Sequence, residues 1–77
     1  MNIIKNALEK EVKLDTFKAT MICEGDFTMA GVDNPTEELV IQAWQYLIDT
    51  GLAWTLQGWF GRTAQQLIKA GICHKPS

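Results

Sequence analysis

The sequence predicts an all-α fold, a small bundle of four helices over about residues 2–13, 15–24, 35–50 and 62–71, with a short helical turn near 52–57. Three observations lead there. Apolar residues recur at three- and four-residue steps in each segment. Cap residues precede these runs and glycines follow them. Nothing alternates with period two for long enough to argue a strand. With 77 residues, of which 47% are hydrophobic and 21% charged, the chain reads as a single helical domain, 1–77. A domain of this size buries only roughly 60% of its unfolded surface, so its core is small.

In the first segment Ile4, Leu8 and Val12 fall at i, i+4 and i+8, with Ile3 and Ala7 beside them and Lys and Glu on the other side. A helix this short is marginal alone in water, so 1–13 also reads as a separable docking helix. Asp15 suits the N-cap of a second helix, with Phe17, Met21 and Ile22 inward and Glu24-Gly25 at its end. Residues 25–34 read as one extended loop. Asn34-Pro35-Thr36-Glu37 then places a cap, a proline at the first helical position and an acid three residues on.

The third helix carries Val40, Ala43, Trp44, Leu47 and Ile48 on one stripe, while Leu39, Ile41 and Tyr46 lie off it. Apolar surface on that many sides predicts an interface, either a homodimer or a stable hetero-complex. Gly51 closes this helix. Thr63 and Gln66 form a second capping box, opening a last helix with Ala64, Leu67, Ile68 and Ile72 inward. Gly58 and Gly61 bracket Trp59-Phe60 in the turn before it, which predicts positive φ or close backbone approach at one of them. Arg62 then precedes the cap, where a lone cation opposes the helix dipole. An internal salt bridge, to Asp49 first and Glu37 or Glu38 next, is the favoured explanation of that position, and an acidic group on a binding partner is the other.

The formal net charge of −2 is unevenly spread. Residues 15–49 hold seven acids against Lys18 alone, a net −6, and residues 50–77 hold Arg62, Lys69 and Lys75 with no acid. That balance disfavours nucleic acid as a partner. Cys23 and Cys73 are too few for a disulfide scaffold and read as free thiols in or near a core. No apolar run reaches the ~20 residues that span a bilayer, and the N-terminus is no signal peptide, so a soluble, cytosolic protein is expected.

Asp26, Gly31 and Glu37 fall at positions one, six and twelve of a calcium-binding loop, but Thr28 and Ala30 stand where oxygen ligands belong. Cys23, Cys73 and His74 make only three soft ligands, without paired-cysteine spacing. No metal, no cofactor and no catalytic constellation is therefore expected, and the chain does not read as an enzyme.

The aromatic cluster stands apart. Trp54, Trp59 and Phe60 lie within seven residues, next to the only arginine, Arg62. Tryptophan and arginine are enriched in binding hot spots, since both combine large contact area with a polar handle. Trp54, Trp59, Phe60, Arg62 and Tyr46 are the candidate partner-binding residues, with at least one of Trp54 and Trp59 partly exposed. Asp26, Asp33, Glu37 and Glu38 form a candidate acidic face.

The stretch from Leu47 to Gly71, LIDTGLAWTLQGWFGRTAQQLIKAG, resembles the signature of a family of very small tailed-phage proteins of unknown function. The resemblance covers roughly residues 38–73 and rests on the glycine, tryptophan and Gly-Arg-Thr-Ala positions. An extra N-terminal segment and a longer 25–34 loop depart from that pattern. The resemblance implies a phage accessory protein acting in a bacterial host cytoplasm, and it implies no mechanism.

The leading expectation is a module that binds and modulates a host protein of the transcription or antiviral defence machinery, inhibiting it by covering a basic surface with the acidic segment. The alternative is a helix-turn-helix-like nucleic-acid-binding regulator, with Arg62, Thr63, Gln65, Gln66 and Lys69 reading the duplex. A minor virion component is a further alternative.

Overall fold

The computed structural model describes residues 13–76. The helix expected over 2–13, with its docking role, lies outside them. Four α-helices follow: α1 (Thr16–Cys23), α2 (Phe27–Ala30), α3 (Glu37–Asp49) and α4 (Gly58–Lys69), with a 3-10 turn at Leu52–Trp54 between the last two. No strand forms among the described residues.

Helix α1 starts where its cap predicts, with Asp15 accepting from the Lys18 amide at 2.8 Å. Its inward face differs from expectation: Ala19 and Ile22 are buried, Met21 is half-buried and Phe17 is 53% exposed. The extended loop expected over 25–34 instead contains α2. Asp26 caps it through the Met29 amide at 3.1 Å, and Gly31 ends it. Four residues are too few to show a helical stripe, so only the two caps could have revealed it.

Helix α3 begins later than the proline suggested. Thr36, not Asn34, is the N-cap and accepts from the Leu39 amide at 3.1 Å, with Pro35 outside the helix. Glu37 and Glu38 occupy the first turn, where acids favour the helix dipole. Leu39 joins Ala43, Trp44, Leu47 and Ile48 in the core. Ile41 and Tyr46, expected to stay outside as an interface, are half-buried against that core.

At the end of α3, Gly51 adopts φ +81° and redirects the chain into the 3-10 turn. Helix α4 then opens at Gly58, four residues before the expected start. Gln57 is its N-cap without a side-chain bond, so the capping box at Thr63 and Gln66 does not form and both residues lie inside the helix. Packing replaces the missing cap. Trp59 and Phe60, in the first turn, meet Trp44 of α3 at 6.1 and 5.8 Å between ring centroids. Gly58 and Gly61 are accordingly helical, with no positive φ. Nor does the backbone approach closely at Gly61, where an added Cβ would stand 3.5 Å from the Ala53 carbonyl oxygen, an ordinary contact.

Gly71, at φ +79°, ends α4 and turns the tail back towards α3. The Gly71 amide donates to Ile68 O and the Ile72 amide to Leu67 O, which satisfies the last carbonyls of the helix. Ile72, expected inward, is 50% exposed, and Cys73 takes the buried place at 4%.

Candidate functional site

Two of the five residues expected to bind a partner present substantial surface. Trp54 is 43% exposed at the end of the 3-10 turn, and Arg62 is exposed one helical turn into α4. Phe60, at 2%, is core. Trp59 and Tyr46 are half-buried, and Trp59 stacks on Phe60 with ring centroids 4.0 Å apart. The aromatic cluster thus divides, with Trp44, Trp59 and Phe60 joining α3 to α4 and Trp54 facing outward. The Trp54 indole still touches the scaffold, since its Cδ1 lies 3.7 Å from where a Gly61 Cβ would be.

Arg62 does not precede a cap. It is the fifth residue of α4, and its Nη1 lies 3.1 Å from where a Cβ on Gly58 would stand, so the guanidinium leans back over the first turn. Among the described residues Arg62 forms no ion pair, and the expected bridge to Asp49, Glu37 or Glu38 is absent. Asp49 instead accepts from Gln45 Nε2 at 3.0 Å. Arg62, Gln65, Gln66 and Lys69 line one shallow groove of about 230 Å³ on the outer face of α4.

The acidic residues Asp26, Asp33, Glu37 and Glu38 are all exposed. Residues 33–38 form a continuous exposed segment containing three of them. No lysine or arginine occurs between Lys18 and Arg62 to neutralise this part of the chain.

The thiols occupy unreactive surroundings. Burial, then the nearby Cys73, then Glu24 push the Cys23 thiol up from 9.0 to about 12. Burial and Asp49 push Cys73 up as well. A protonated thiol is a poor nucleophile and a poor metal ligand. Among the described residues no three His, Cys, Asp or Glu side chains gather in a way that could hold a metal ion. Nor is any helix there long and apolar enough to cross a membrane.

Sequence reasoning missed the contact that fixes the tail. The His74 amide donates to Gln45 Oε1 at 2.9 Å, and Gln45 Nε2 donates to His74 O at 3.0 Å. The partners are 29 positions apart, and a glutamine within a helix carries no signal of such a role.

Residues 31–77 match a family described as a domain of unknown function, DUF7417. The chain belongs to that family. The matched span begins at Gly31 and takes in α3, the 3-10 turn, α4 and the anchored tail, so the aromatic junction and the α4 groove lie inside it, while α1 lies outside. Neither the curated proteins nor the solved structures contain a match to this chain.

Proposed function

We propose that this DUF7417 protein is a phage-encoded interaction module that binds a host protein in the cytoplasm and modulates it by covering a basic surface. One observation carries the reading: Asp26, Asp33, Glu37 and Glu38 are all exposed, on a stretch of chain that holds no cation between Lys18 and Arg62. Unneutralised charge of one sign steers encounter with the opposite sign and penalises wrong partners. Trp54 adds an exposed aromatic anchor, the residue type that most often dominates binding energy. Affinity purification from infected host cells tests the reading. A specific host protein should be recovered with the wild-type chain and lost when the four acids are changed to Asn and Gln; recovery of nucleic acid alone would contradict it.

A second reading, a nucleic-acid-binding regulator, is favoured by the α4 groove, where Arg62, Gln65, Gln66 and Lys69 share one face. Two cations release few counterions, and eight residues separate α3 from α4, against the three or four of a helix-turn-helix. A gel shift that weakens steeply with salt would favour it.

A further inference from the structure

The groove on α4 has the chemistry of a carboxylate receptor. Arg62 and Lys69 stand seven residues apart, or about 10 Å along a helix axis, with Gln65 and Gln66 between them. All four side chains are exposed. The cations only donate hydrogen bonds, whereas the amides both donate and accept. Such a groove suits acidic side chains carried on a peptide backbone, whose own amides and carbonyls the glutamines can meet. The same chain displays a ligand of that kind. Asp33-Asn34-Pro35-Thr36-Glu37-Glu38 is exposed throughout and carries three acids. Among the described residues neither these acids nor Arg62 and Lys69 are engaged in an ion pair, so the two charge sets do not satisfy each other within one molecule.

We propose that the α4 groove receives the Asp33–Glu38 segment of a second copy, so that the protein self-associates through complementary charge. A two-fold arrangement would use the contact twice, since each copy offers both halves. This goes beyond the host-binding reading and competes with it, because the same carboxylates serve both.

Sedimentation velocity on the full chain tests the proposal, at salt of about 20 mM and about 500 mM, below and above the level that screens surface charges. The expected result is a mass above the monomer at low salt and a monomer at high salt. Arg62→Glu/Lys69→Glu and Asp33→Lys/Glu38→Lys should each be monomeric at low salt, and mixing the two should restore association. Circular dichroism checks that each variant folds. Should a reversed pair unfold, the neutral Asp33→Asn/Glu38→Gln pair replaces it, with association expected to weaken roughly tenfold. A wild-type monomer at both salts, association indifferent to these charges, or folded variants that fail to complement would overturn the proposal. Binding of duplex DNA that Arg62→Glu/Lys69→Glu abolishes would also overturn it, by giving the groove to nucleic acid.

Discussion

Gln45 and His74 are joined by a reciprocal pair of hydrogen bonds, side-chain amide to backbone, that holds the C-terminal tail against the middle of α3. The same contact places Cys73 over α3, where its thiol lies 3.9 Å from the Ile41 carbonyl oxygen. One half-buried glutamine therefore closes the end of the fold and covers a flank of α3 that would otherwise be open.

Replacing Gln45 by Ala removes both bonds at once, together with the one its Nε2 donates to Asp49. A hydrogen bond contributes about 0.5–1.5 kcal/mol net, so losing the two tail bonds alone should cost about 1–3 kcal/mol. Thermal unfolding followed by circular dichroism should show Tm falling by roughly 4–8 °C for each of those kcal/mol. Gln45→Glu should cost at least as much, because a carboxylate cannot donate to His74 O and would face Asp49. An unchanged Tm in both variants would mean that the tail is held by something else.

Two glycines should respond to Ala in opposite directions. Gly51 holds φ +81° with nothing within 4 Å of an added Cβ, so the cost at that site is backbone strain alone, about 1–2 kcal/mol. Gly61 is helical, and its added Cβ would make ordinary contacts of 3.5 and 3.7 Å with Ala53 and Trp54. Gly61→Ala should gain about 0.5–1 kcal/mol from helix propensity. Urea titrations of both variants check the pair; a loss at Gly61 as large as that at Gly51 would show that the 3-10 turn tolerates no methyl group there.

How far the fold could be read from the chain depended on whether a signal was local. Asp15, Gly25 and Gly51 each act on their nearest neighbours, and each ends or begins a helix where the residue type predicts. The start of α4 was not legible in the same way. A local signal, the Thr63–Gln66 spacing, pointed to the wrong residue, because tertiary contacts from Trp59 and Phe60 to Trp44 extend the helix back through Gly58. The same distinction divides the candidate surface. The acids and Trp54 were legible as exposed groups, and Arg62, Gln65, Gln66 and Lys69 already share a face of the helix expected over 62–71, whereas the burial of Phe60 depends on the longer helix. Contacts between distant positions, such as Gln45 with His74 or Cys23 near Cys73, left no mark in the sequence.

The buried thiols predict how stability depends on pH. Unfolded cysteines lose their protons near 9.0, while Cys23 in the folded chain keeps its proton to about 12. Between those values the folded state binds more protons, so stability falls as pH rises through the window and is fully present below it. Tm should decline from about pH 9 upwards, and less steeply in Cys23→Ala. At pH 8 the native thiols should also alkylate at least about 100-fold more slowly than in denaturant. Parallel pH profiles for the wild type and Cys23→Ala would assign the decline to other groups.

Recognition of a basic protein surface is proposed to rest on the exposed acids of the cation-free stretch between Lys18 and Arg62. The most direct measurement is the salt dependence of affinity for the captured host protein, compared between the wild type and Asp26→Asn/Asp33→Asn/Glu37→Gln/Glu38→Gln. If the claim holds, wild-type affinity falls steeply as salt rises, the neutralised variant binds at least roughly tenfold more weakly at low salt, and its salt dependence is nearly flat. Equal affinities and equal salt slopes for the two proteins, with both folded, would contradict it.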